Sequence, residues 1–303
     1  MNIPLRQIID KFSIHIDAVK GNYDTVHVKY LKPTSEVDEY TLDWISPLKK
    51  DVQKIAEASK ARVIICSEEV AYNDILLSQN KVLIYTKDTK LLIIKIGNEF
   101  FVEKKNIKSF IHASAVVSKK ATIGKDVSVG SGCFIGECSI GNSVIIHPNV
   151  VIYDGVTIGD GCVIHAGTVL GTDGFGCSRD KDGTLYTFPH FGKLIIGANV
   201  EIGANSQVAR GALSDTLIGN GCKLIGNIFI SHNCILEENI LMTGDTMLGG
   251  SVRVGKNTTI YAKVMVRDQT TIGAGCTIGM GAVITKDIPS GETWYGNPAR
   301  KIG

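Results

Sequence analysis

The chain has 303 residues, 44% of them hydrophobic, and its 32 Lys and Arg nearly balance 30 Asp and Glu for a formal net charge of +2. That balance leaves no bulk charge for nucleic-acid or acidic-lipid binding, and pairs such as Lys49-Lys50, Lys104-Lys105 and Lys119-Lys120 read as solvated faces. No apolar run reaches membrane-spanning length, and the start MNIPLRQIIDKF lacks the apolar core of a signal peptide, so a cytoplasmic protein is expected.

Residues 1–105 carry no long-range period. A helical stretch over 48–61 and short apolar strands over 62–66, 81–85 and 91–96 predict a small α/β domain, a candidate for nucleotide binding. From residue 111 the pattern changes. Ile111, Val117, Ile123, Val129 and Ile135 are six apart, the column slips one residue to Ile140, and it then runs to Leu170. It resumes at Ile196, Ile202 and Val208, and again from Ile218 to Ile284, broken by insertions at 171–195 and 209–217. Six is neither the helical nor the strand period. With turn formers after the column residue, as in Ile158-Gly159-Asp160-Gly161, it predicts a mainly β chain: a left-handed parallel β-helix of hexapeptide repeats, three hexads per coil, over 106–288. The hand follows from recognising the repeat. Pro289 ends the ladder, leaving a tail over 289–303, and the first domain and this tail are expected to cover the open ends.

Eight cysteines contain no CxxC pair. Six of them (Cys133, Cys138, Cys162, Cys222, Cys234, Cys276) stand two residues before a column residue, an inward slot for small groups, so they read as core thiols and not as disulfides or metal ligands.

Counting hexads modulo three turns the column into coordinates. Leu170, Val208, Ile230 and Val266 fall on one edge, so the 171–195 loop, the 209–217 insertion with Arg210, and His232 share that edge, with Arg267 and Asp268 farther along. Loop and histidine should lie ~10 Å apart along the axis, two inter-strand spacings. His147 and His165, one full coil of three hexads apart, should stack on another edge, with His112 two coils above His147. This ladder raises a zinc reading, as in hexapeptide zinc hydrases, although the histidine pair five residues apart that marks those proteins is missing; solvent-facing or substrate-lining histidines are the alternative. His232, in Ile230-Ser231-His232-Asn233, is the stronger catalytic candidate because both insertions share its edge, and an imidazole suits proton removal near neutral pH.

Gly171-Thr172-Asp173-Gly174-Phe175-Gly176, Pro189, Val200-Glu201-Ile202-Gly203-Ala204-Asn205, Arg210-Gly211-Ala212-Leu213 and His232-Asn233, in this order over roughly 110–285, resemble the bacterial UDP-3-O-acylglucosamine N-acyltransferases of lipid A synthesis. The resemblance implies a homotrimer with interfacial active sites and direct acyl transfer from a thioester. His232 would be the general base, and Asn233 would position it or the substrate. Asp173, Gly174, Phe175, His190 and Arg210 would line the cleft, and Trp44 would stack on the nucleotide base. The chain departs from that family at Ile225-Gly226, Ala209, Gln269 and Ser46, and Trp294-Tyr295-Gly296-Asn297-Pro298-Ala299-Arg300 is similar to the closing motif of coenzyme A-dependent sugar acetyltransferases. The expectation is therefore an N-acyltransferase moving an acyl group from acyl-coenzyme A to a nucleotide-linked amino sugar, with no metal and no tightly bound cofactor. The alternative is the lipid A enzyme itself, UDP-3-O-(3-hydroxyacyl)glucosamine N-acyltransferase with acyl carrier protein as donor; outside this class stands the zinc-dependent hydrase.

Overall fold

A computed structural model describes residues 2–103 and 109–302. The chain divides into two compact units, residues 1–105 and 106–303, whose junction falls in 104–108, outside the described residues.

The first unit is built on a four-stranded sheet in the order Ala18–Lys20, Val82–Tyr85, Val63–Cys66, Leu42–Trp44; the last three run parallel and the first is antiparallel to its neighbour. Both faces are covered. Val63 and Ile65 enter one apolar cluster while Ile64 and Cys66 enter the other, as the two-residue period of a strand requires. One predicted element changes type, since the expected strand over 91–96 lies in a helix, Thr89–Ile96. Asp88 caps it by accepting from the Leu91 N–H, Leu92 and Ile96 are fully buried one turn apart, and Leu91 and Ile94 face outward. A six-residue apolar run cannot distinguish the two periods; the cap decides it. The helix expected over 48–61 shortens to Val52–Ala58, because Asp51 at its start takes a left-handed conformation, φ 56°.

The second unit is the solenoid, a left-handed β-helix with faces of eleven, nine and eight strands, all parallel except the last strand of the first face. The first face stacks Val129, Ile146, Ile164, Ile202 and Leu224; the second stacks Ile152, Leu170, Val208, Ile230 and Leu248; the third stacks Ile140, Ile158, Ile196, Ile218 and Leu236. These residues form one continuous core, each aliphatic side chain contributing ~1.5–3 kcal/mol by leaving water. The slip at Ile140 is a turn one residue short: Ile123, Ile140 and Ile158 remain in register. The six column-adjacent thiols are buried as expected, and burial pushes Cys234 up to about 12.

The segment after Pro289 is no separate tail. Thr293–Tyr295 returns to the first face beside Thr277–Ile278, with Trp294 buried on Ile278, and Arg300–Lys301 then pairs antiparallel to it. Pro289 ends only the third face, where Ile288 makes a single bridge to Ile272. Among the described residues, no helix is long and apolar enough to cross a membrane.

Candidate active site

The site grows from the second face. Val169–Thr172 pairs with Gln207–Ala209 through a bulge between Leu170 and Thr172, and Gly171, at φ 87°, turns the chain out of the coil. The excursion makes an antiparallel hairpin, Cys177–Arg179 with Leu185–Thr187, and returns through Phe188–Phe191. Leu170, Val208 and Ile230 are successive rungs of this face, so loop, second insertion and His232 share one edge, as the counting predicts. The axial gap of two inter-strand spacings is closed by the loop itself, which folds along the edge until Gly174 and His190 meet His232.

His232 is held in one tautomer. Its Nδ1 lies 2.8 Å from Asn233 Oδ1, and Asn233 is oriented because its Nδ2 donates to Ser214 O at 2.7 Å and Ser214 Oγ at 2.8 Å. The Asn233 oxygen therefore accepts, from the Ala212 N–H as well as from Nδ1–H, which leaves the lone pair of neutral His232 on Nε2. Asn233 itself takes the left-handed conformation, φ 59°, which places its side chain beside its neighbour's ring.

Two glycines frame the imidazole. A Cβ on Gly174 would stand 2.6 Å from His232 Cδ2, and a Cβ on Gly250, one coil on, would stand 2.7 Å from Cε1 and 2.8 Å from Nε2. Gly250 is the residue that sequence reading misses, one glycine among 33. Its signal is its place three hexads after His232, directly below it on the next coil. A groove of about 430 Å³ opens beside the ring, lined by Leu213, Ser214, Asn233, Ile235, Ser251 and Arg253 among others. His190 is 9% exposed, its Nδ1 lies 2.9 Å from Phe188 O, and its ring meets His232 edge to face at 5.5 Å.

The other candidates lie elsewhere. Arg210 gives its Nε–H to Gly192 O at 2.7 Å, at the foot of the loop, and so fastens the excursion to the coil. Asp173 is exposed and Phe175 is 82% exposed, neither pinning the loop nor lining the groove within this chain. Trp44, 37% exposed, ends a strand of the first unit.

The histidine ladder on the first-face edge forms as expected. His147 and His165 stack at 4.9 Å and 5°. His165 Nε2 lies 2.9 Å from Glu201 Oε1, with Lys223 Nζ 3.5 Å from the other carboxylate oxygen. Burial and the adjacent His165 hold His147 below its ordinary value, and the hydrogen bond from His165 holds Glu201 below the usual carboxylate range. Among the described residues, no group of three or more His, Cys, Asp or Glu is arranged to hold a metal ion.

Fold and repeat define a hexapeptide-repeat protein. The family model of the bacterial transferase hexapeptide (six repeats) matches residues 137–172 and 251–286. The chain is 51% identical over 67 residues to the UDP-3-O-acylglucosamine N-acyltransferase of Coxiella burnetii (strain RSA 493 / Nine Mile phase I), covering 22% of this chain and 20% of that one. It is 39% identical over 136 residues to the enzyme of the same name from Caulobacter sp. (strain K31), covering 45% and 40%. The matched regions thus span less than half the length of these curated relatives. Among solved structures, the UDP-N-acetylglucosamine acyltransferase of Arabidopsis superposes with a TM-score of 0.53 at 29% identity over 64% of this chain and 74% of that one. LpxA from Acinetobacter baumannii superposes at 0.58 with 26% identity, covering 63% and 73%.

Proposed function

We propose that the protein is an N-acyltransferase that moves an acyl group from a thioester to the amino group of a nucleotide-linked amino sugar, with UDP-3-O-acylglucosamine, the acceptor in the names of its relatives, as the first acceptor to test. The observation that carries this reading is the fixed tautomer of His232, a residue that lines the groove and keeps its Nε2 lone pair beside the Gly250 backbone.

In this mechanism the acceptor nitrogen attacks the thioester carbonyl carbon while His232 Nε2 takes the proton the amine loses. The developing oxyanion receives the N–H of Gly250, which donates to no group among the described residues, a contact of the kind that contributes ~3–4 kcal/mol. The C–S bond then breaks, and the leaving sulfur takes the proton back from His232 Nε2. The amide and the free thiol are the products, with no acyl-enzyme, because orientation supplies what covalent catalysis would otherwise contribute. Trp44 would stack on the base of the nucleotide. The trimer that the resemblance implies would give the exposed Phe175 a neighbouring copy to pack against.

The test is amide formation from UDP-3-O-acylglucosamine with hydroxyacyl-coenzyme A and hydroxyacyl carrier protein in parallel, followed by mass spectrometry, for the native chain and His232→Ala. Product from either donor that disappears in the variant supports the reading and identifies the carrier. No product from both donors and from a panel of nucleotide amino sugars, or an unimpaired variant, overturns it.

A further inference from the structure

Next to the base stands a second imidazole with an unused atom. His190 Nδ1 faces the Phe188 carbonyl at 2.9 Å, and since a carbonyl only accepts, Nδ1 carries the hydrogen and the lone pair of neutral His190 lies on Nε2. That Nε2 is buried and has no partner among the described residues. An orphaned buried acceptor is destabilising and calls for a reason. The surroundings supply one. His190 Nε2 and His232 Cδ2 lie 2.8 Å and 2.6 Å from the same point, the Cβ that Gly174 does not have, and the two rings meet at 72°.

We infer that His190 is a positioning residue whose Nε2 lone pair supports the imidazolium form of His232. When His232 takes the proton from the acceptor, positive charge spreads over its ring carbons. A lone pair fixed a few ångströms away on a buried ring is then attractive, whereas beside the neutral ring it has little effect. The loop thus carries an electrostatic partner to the base that Asn233, occupied with Nδ1–H, cannot supply. Gly174 is part of the arrangement, because any side chain there would separate the two rings. The other ionisable groups on the surrounding elements are Asp173 and Lys193 on the loop, Arg210 and Asp215 on the second insertion, Arg253 across the groove and the buried Cys234 thiol; the loop's remaining ionisable groups, within 177–187, stand on its exposed hairpin. Asp215 is already engaged by the Lys193 N–H and Arg210 by Gly192 O, so neither competes for this role.

The inference rests on His232 being the proton acceptor, and it can be read without turnover. In the full chain with labelled histidine, the His232 ring resonances, assigned by their loss in His232→Gln, are titrated in the native protein, His190→Phe and His190→Gln. His190→Phe keeps a ring and removes the lone pair, and the His232 midpoint should fall by half a pH unit or more; the acid limb of kcat/KM should move down in parallel. His190→Gln places a carboxamide oxygen near the lost Nε2 and should restore most of the midpoint. An unchanged midpoint in His190→Phe, or equal shifts in the Phe and Gln variants, overturns the inference. A chain with no transferase activity but the expected titrations overturns the proposed function alone.

Discussion

The solenoid carries two pairs of imidazoles on two of its edges, and they are built by opposite means. His147 and His165 come from pure repetition: one coil apart, they lie flat on one another at 4.9 Å, and Glu201 on the next coil takes the exposed nitrogen of the lower ring. His190 and His232 come from an interruption: a loop that leaves the coil after Leu170 brings one ring edge-on to the other, and Asn233 takes Nδ1 so that Nε2 stays free. The repeat makes ladders whose members satisfy each other. The break in the repeat brings in a ring whose buried Nε2 has no partner among the described residues.

The sharpest way to break this contrast is to remove one ring from each pair. His232→Ala should lower kcat/KM for acyl transfer by ~10²–10⁴-fold, the range for loss of a general base, while His165→Ala should stay within about threefold of the native rate. Melting temperatures should show His232→Ala near native, and comparable losses from both variants would erase the distinction. Next comes the frame. Gly250→Ala places a carbon 2.8 Å from His232 Nε2 without straining a left-handed backbone, so turnover should fall ~100-fold with little change in thermal stability. Asn233→Gly keeps the left-handed turn but releases the tautomer; a ~10-fold fall in kcat with KM nearly constant is expected in steady-state kinetics, and a pure KM effect would argue that Asn233 binds substrate.

The smallest effect belongs to the ladder. Glu201 has a lowered pKa in the folded state, so its contribution to stability is present above the unfolded value of ~4.3 and is lost as pH falls through the folded value. It is partly exposed, and screening limits the pair to ~0–1 kcal/mol. Glu201→Gln should therefore melt no more than ~3 °C below native at pH 7, with the difference shrinking as pH falls below the unfolded value of ~4.3 and acyl transfer unchanged. A melting difference that stayed constant on acidification would point to packing and not charge.

What can be read from the sequence follows the same division. The column decides which residues face inward, and counting it modulo three places Leu170, Val208 and Ile230 on one face and stacks His147 on His165, because a repeat with a constant rise is a ruler. The ruler stops at residue 171. Nothing in 171–195 has a period, so the hairpin within 177–187 and the seating of His190 against His232 are not legible. Gly250 escapes for the converse reason: in a chain of glycine-rich turns its composition signals nothing, and only the ring above it marks the position. In the first unit, the run 91–96 is too short for its period to show, and the deciding atom is on the Asp88 carboxylate.

The single coil that separates His232 from Gly250 also makes the candidate site a unit of inheritance. Whole coils added or lost between Ile111 and Leu170, or beyond Val266, would lengthen or shorten the solenoid and leave every distance around His232 as it is, because each coil is located only by its neighbours. The same event between His232 and Gly250 would slide the glycine out from under the imidazole. The molecule can thus vary in length almost freely while the span from Leu170 to Gly250 must be transmitted intact.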